Sequence, residues 1–157
     1  MARIEERLSE RGLSLPRPFI APAGLELKFS WVRLSGGYAY VSGHGPLDGN
    51  DVLVKGKVGA DVTLEQAYEA ARLTALSMFA SLKQELGDLD RVTGWVKALG
   101  LVNCAPGFNV TPAVINGFSD LVFELWGDSG RHARSAIGAA ELPFDMSVEV
   151  EAITEVS

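Results

Sequence analysis

The side chains best suited to chemistry crowd into one short stretch, Arg131-His132-Ala133-Arg134-Ser135. Arg134 stands at the start of a run with strand character, and Glu149 stands on the run that follows. If these two strands pair as a hairpin, the two side chains converge on one face of a sheet. The arginine then offers a planar fork that matches a carboxylate. The glutamate can hold or activate a water. Together they suit a small anionic substrate attacked by water. The same two residues also make a structural ion pair, and residue types alone favour that plainer reading.

Other groups compete less well. Ser42-Gly43-His44-Gly45 sets a serine two residues from a histidine. It lacks the Gly-x-Ser-x-Gly pattern of a nucleophile elbow, and proximity along a strand is not triad geometry. The glycine-rich backbone there can still present amides to a ligand. Gly56-Lys57-Val58-Gly59 lacks the spacing and the Gly-Lys-Ser/Thr end of a P-loop. Cys104, before Ala105-Pro106-Gly107, reads as a packing thiol in a turn. With one cysteine and two histidines, a zinc site would need carboxylates at a spacing the chain does not show. Trp31, Trp95 and Trp126 read as core or interface residues.

These residues need a frame. Ile4 to Arg11 suits a short amphipathic helix, ended by Pro16 and Pro18, and an irregular connector follows to Glu26. Trp31-Val32-Arg33-Leu34 and Tyr38-Ala39-Tyr40-Val41 flank Ser35-Gly36-Gly37, which signals a β-hairpin. Val52 to Val58 reads as a third short strand. Thr63 and Gln66 form a capping box at the head of a helix that runs to Leu86, and Gly87 stops it. Val92 to Asn103 reads as a strand whose Gly100 marks a bulge or a close approach. Thr111-Pro112 opens a helix that runs to about Trp126. Two strands close the chain, Ser135 to Glu141 and Ser147 to Val156. Along the second, Val148, Val150 and Ala152 alternate with Glu149 and Glu151. Strand pairs and helices in this order predict one α+β domain over residues 1–157, with helices on one face of a mixed sheet.

Bulk properties narrow the function classes. The chain has 157 residues, 47% hydrophobic and 22% charged, which is ordinary for a globular domain. Its formal charge of −6 disfavours a nucleic-acid binder, which normally carries a basic footprint. The charged N-terminus has no apolar core of a signal peptide, and no apolar run is long enough for a membrane span. The expectation is a cytoplasmic protein with no nucleic-acid or membrane partner.

Ala133-Arg134-Ser135-Ala136-Ile137, then Leu142-Pro143, then Val148-Glu149-Val150-Glu151-Ala152-Ile153 together resemble the C-terminal signature of the YjgF/RidA family. Val41-Ser42-Gly43 with Pro46 resembles the family's strand-two motif, and residues 1–26 look like the extension of a longer subgroup. The resemblance implies a chorismate-mutase-like fold, with a sheet of about six strands and two main helices on one face. It also implies a homotrimer with clefts between subunits. The implied activity is hydrolysis of reactive enamines and imines, such as 2-aminoacrylate, to 2-keto acids and ammonia, with no metal or organic cofactor.

By this resemblance Arg134 holds the substrate carboxylate and Glu149 positions the water. Ser42 and Gly43 line the cleft near the imine. Asn116 corresponds to a helix asparagine of the cleft, at a spacing one residue longer. Phe29 stands where the well-studied deaminases have tyrosine, and Ala136 where they have cysteine, although the backbone carbonyl is kept. His132 replaces a residue that is usually small or proline. The expected function is therefore a 2-imino or enamino acid deaminase. The alternatives are a non-catalytic trimeric small-carboxylate sensor and, third, a ribonuclease or translation inhibitor, against which the acidic balance weighs.

Overall fold

The computed structural model describes residues 3–157. In chain order the elements are α1 (Arg3–Glu10), β1 (Val32–Ser35), β2 (Tyr38–His44), β3 (Leu47–Asp48), β4 (Asp51–Val52), α2 (Leu64–Leu86), β5 (Val92–Asn103), α3 (Thr111–Trp126), β6 (Ala133–Ala139) and β7 (Val148–Val156). Gly36 and Gly37 take φ of 60° and 82°, so the first hairpin closes on a two-residue turn whose twist suits its strands. Ser35 then pairs with Tyr38, and Val32 with Val41. The main sheet is mixed and five-stranded, in the order β1-β2-β7-β5-β6.

Two expectations are corrected here. The third strand shrinks to Asp51–Val52, paired only with β3 in a small separate ribbon. Gly56 and Gly59 adopt positive φ and break the run, leaving isolated bridges at Lys55 and Val58. The main sheet therefore has five strands rather than about six. The last two strands also do not form a hairpin. Helix α3 carries the chain back along β5, so β6 pairs parallel to β5, and β7 pairs on the other side of β5.

The capping box on α2 is present in both directions, with Thr63 Oγ1 accepting from Gln66 N and Gln66 Oε1 accepting from Thr63 N. Helices α2 and α3 cover one face of the sheet. Phe79, Phe118, Val102 and Val150 are fully buried between them and the strands. The Gly100 signal reads as a close approach, since a Cβ there would stand 2.6 Å from Ile115 of α3. Gly117 is tighter still, because a Cβ would overlap the Tyr68 carbonyl of α2. Backbone cannot yield as a side-chain tip does. Gly117→Ala is expected to cost about 3 kcal/mol, read as a lowered urea midpoint.

Helix α1 docks Ile4 and Leu8 into the same core. Its first amides, Arg3 N and Ile4 N, donate to the Asp90 carboxylate at 2.7 and 2.8 Å, a cap supplied from another element. The connector that follows is strapped to the β3–β4 ribbon by Arg17 with Asp48 and Asp51, and by Ile20 with Asn50. No described element covers the second face of the sheet. Tyr40, Ile137 and Val96 are 45%, 50% and 38% exposed. Among the described residues, no helix is long and apolar enough to cross a membrane.

Candidate functional site

The sheet distributes the expected site residues into two groups. Arg134 pairs across to Ala98, and Ala98 to Ala152, whose side chains face the helices. Arg134 therefore lies on the helix-covered face, at the edge strand, where its guanidinium reaches α3. Its Nη1 donates to Asn116 Oδ1 at 2.9 Å and to Ser119 Oγ at 3.0 Å. Both Nη1 hydrogens are thus committed. Nη2 has one long contact to the Pro112 carbonyl, 3.5 Å. The edge formed by Nε and Nη2 bears no short hydrogen bond, a geometry of the kind that suits a planar carboxylate. Asn116 accordingly serves Arg134 with its carbonyl oxygen.

A second layer stands behind this arginine. His132 lies between Ser119 and the backbone, with Nε2 2.9 Å from Ser119 Oγ and Nδ1 2.8 Å from the Gly130 carbonyl. A carbonyl can only accept, so Nδ1 carries the hydrogen and neutral Nε2 accepts the Ser119 hydroxyl. Burial, together with the nearby Arg134 charge, lowers the His132 pKa below its ordinary value. Ala136 follows on the same face, and its carbonyl accepts from Thr111 Oγ1 at 2.9 Å. A hollow of about 430 Å³ opens beside Arg134, lined also by Asn116, Ser119, Asp120 and His132.

Phe29, Ser42, Gly43 and Glu149 form the second group. Glu149 pairs with Leu101, and it alternates along β7 with the core residues Val148 and Val150. It therefore lies on the uncovered face. A Cβ at Gly43 would overlap the Glu149 carboxylate, so the carboxylate lies directly over the Gly43 backbone. Ser42 Oγ donates to the Ser30 carbonyl at 2.7 Å. The Phe29 ring meets Trp31 edge-on at 5.2 Å, and Trp31 meets His44 at 5.4 Å. His44 is buried, its Nδ1 2.6 Å from the Ser42 carbonyl and its Nε2 2.8 Å from Ser81 Oγ. It spans the register shift between Val41 and His44, within which Gly43 comes against the Glu149 carboxylate.

Burial, and then repulsion from Glu151, raises the Glu149 pKa above the usual carboxylate value. A raised carboxylate favours the folded state while protonated, and that contribution is lost as pH climbs above about 4.5. Glu149→Gln should therefore raise the unfolding midpoint at pH 7 and leave it nearly unchanged at pH 4. Thermal melts at the two pH values check this.

The hairpin geometry expected for Arg134 and Glu149 does not occur. They lie two strands and three residues apart, about 14 Å from strand spacing and rise. Their side chains also leave opposite faces, so they form neither a shared site nor an ion pair within one chain. Ser42 and His44 likewise form no triad, since the contact runs from the ring to the Ser42 carbonyl. Ser119 escaped the sequence reading. Its signal was its spacing from Asn116, since residues i and i+3 share a helix face. The uncovered face bears a separate groove of about 550 Å³, lined by Arg33, Tyr40, Ser42, Lys97, Ser135 and Glu151. Among the described residues, no group of three or more His, Cys, Asp or Glu side chains could hold a metal ion.

Known proteins share this fold. The family model "YjgF/chorismate mutase-like, putative endoribonuclease" matches residues 5–156. Protein TCP17 of Trypanosoma cruzi is 38% identical over 156 residues, covering 99% of this chain and 95% of its own. The crystal structure of Atu1372 from Agrobacterium tumefaciens, a protein of unknown function, is 39% identical with a TM-score of 0.87, covering 98% of this chain and 92% of that one. A protein of Shewanella oneidensis described as "a putative endoribonuclease" is 31% identical with a TM-score of 0.88, covering 98% and 99%. RidA from an Antarctic Psychrobacter, 20% identical with a TM-score of 0.58 and coverage of 89% and 94%, shares the fold. With the model spanning nearly the whole chain and the C-terminal motif in place, this chain belongs to the YjgF/RidA family.

Proposed function

We propose that this protein is a cytoplasmic hydrolase of small 2-imino and enamino acids, with 2-aminoacrylate as the type substrate and a 2-keto acid and ammonia as products. The observation that carries the reading is the Nε/Nη2 edge of Arg134, which bears only the long Pro112 contact while Asn116 and Ser119 hold Nη1. A fork fixed in this way selects a carboxylate and sets the angle of the imine carbon beside it. Glu149 orients the attacking water and takes its proton, and its raised pKa suits it to that exchange. Ser42 and Gly43 border the imine, and Phe29 covers it with an apolar ring. Positioning supplies much of the rate, because imines already hydrolyse in water.

Arg134 and Glu149 point away from each other in one chain, so the reading requires a homotrimer. Each cleft takes Arg134, Asn116 and Ala136 from one copy and Phe29, Ser42, Gly43 and Glu149 from the next. The exposed Tyr40, Val96 and Ile137 on the uncovered face supply apolar surface for that assembly. The test generates 2-aminoacrylate in situ and follows its loss with and without the protein. No acceleration at micromolar protein would reject the substrate. A monomeric mass by light scattering at that concentration would reject the shared cleft.

One observation favours a second reading, a carboxylate sensor without turnover. Phe29 supplies no hydroxyl, and the Ala136 carbonyl is already engaged by Thr111. Such a sensor would bind pyruvate, lose it on Arg134→Ala, and leave 2-aminoacrylate untouched.

A further inference from the structure

Resting on the reading of Arg134 as the carboxylate fork, we infer that His132, acting through Ser119, is the positioning residue that locks this arginine in its binding orientation. The bonds form one directed chain. The Gly130 carbonyl accepts from His132 Nδ1, His132 Nε2 accepts from the Ser119 hydroxyl, and Ser119 Oγ accepts from Arg134 Nη1. Arg134 can only donate, so Ser119 gives it a lone pair, and His132 Nε2 takes the Ser119 hydrogen and fixes the orientation of that lone pair. The ring itself is held by an edge contact with Phe118 at 6.1 Å. Without this chain, Asn116 alone would hold Nη1, and the guanidinium could turn about its Nε–Cζ bond.

The direction of the chain depends on an unprotonated Nε2. Once protonated, Nε2 becomes a donor, Ser119 loses its acceptor, and a second positive charge stands beside Arg134. The other charged groups around the ring are few. Arg131 is paired with Asp128 and stacked over Phe123, and Asp120 accepts the Tyr68 hydroxyl at 2.7 Å. Lys97 of β5, opposite Ala133, lines the groove on the other face. Glu124 of α3 is paired with Arg72. None of these offers Nε2 an anionic partner that would replace Ser119. Carboxylate affinity should therefore fall as pH drops through the His132 titration, below its ordinary range.

The test compares wild type with His132→Gln, His132→Phe and Ser119→Ala, using pyruvate as the probe between pH 5 and 7.5. Glutamine keeps an acceptor for Ser119 and does not titrate, and phenylalanine keeps the ring packing. At pH 7.5, Kd is expected to rise about fivefold in His132→Phe and Ser119→Ala, the usual effect of one lost hydrogen bond, and to stay within about twofold in His132→Gln. Only wild type should weaken toward pH 5 through this route. Equal affinities and parallel pH profiles in all four proteins would overturn the inference. Nitrogen-15 NMR of the Arg134 guanidinium in the ligand-free proteins separates this outcome from failure of the carboxylate reading. Slow rotation in wild type and His132→Gln, with faster rotation in the other two, supports the inference even if pyruvate binds to none. The same rotation rate in all four rejects it.

Discussion

Arg134→Ala should lower kcat/KM for 2-aminoacrylate hydrolysis roughly 300-fold, the largest single effect expected from any substitution in this chain. Truncating one partner of a charge-assisted, two-pronged hydrogen bond costs about 3 kcal/mol or more, since the carboxylate is left without a partner in a partly dry cleft. The loss should divide between KM and kcat. A substrate held only by its apolar end binds more weakly and also presents its imine carbon at variable angles. Arg134→Lys makes the sharper comparison. It keeps the charge but cannot bond Asn116, Ser119 and a planar carboxylate at the same time, so it should recover no more than about tenfold of the loss. The measurement is the rate of 2-aminoacrylate decay at several substrate levels. A variant Arg134→Ala with wild-type kcat/KM would show that the carboxylate is held elsewhere.

The second large effect is on stability. Burial holds the His44 pKa down at about 4, against an ordinary 6.5, so the fold keeps this ring neutral. The unfolded chain takes up the proton first as pH falls. Its contribution is complete above pH 6.5 and is withdrawn progressively between 6.5 and 4. The shift corresponds to about 3 kcal/mol over that window. His44→Gln keeps a donor for the Ser42 carbonyl and an acceptor for Ser81 but has nothing to titrate. Urea unfolding at pH 7 and pH 4, at one protein concentration, should show wild type losing about 3 kcal/mol more than His44→Gln. Equal losses would mean that the ring is solvated in the native state. The same titration acts at the bulge that carries Ser42 and Gly43, where His44 bonds the Ser42 carbonyl, so activity should fail over this range before the chain unfolds.

Much of the frame could be read from local chemistry. Gly36-Gly37 has few ways to join two aromatic strands, and Thr63 with Gln66 announces a helix from inside its first turn. Gly100 signalled a close approach, and Ile115 is the residue that approaches. Pairing between strands was not local in this sense. The segment from Leu142 to Asp145 resembles a hairpin turn, but the partner of β6 was fixed by the α3 crossover far upstream. That single error put Arg134 and Glu149 on one face. The motif singles out each residue, yet the side of the sheet it occupies follows from register, and register is set by elements outside the motif. The resemblance points to Asn116 as well, although its contact with Arg134 depends on the angle at which α3 crosses β6. Ser119 and His132 join the site only through that same crossing.

The two groups on opposite faces also carry a genetic consequence under the trimeric reading. Arg134→Ala and Glu149→Gln would each impair every cleft when alone, because all copies lack the same half. In a cell expressing both alleles, copies assemble at random, and about a quarter of the clefts draw an intact Arg134 from one allele and an intact Glu149 from the other. Two impaired alleles would then complement each other, whereas two substitutions in the same half, such as Arg134→Ala with Arg134→Lys, would not. The pattern of complementing and non-complementing pairs would map the division of the site between neighbouring copies without any structure of the assembly.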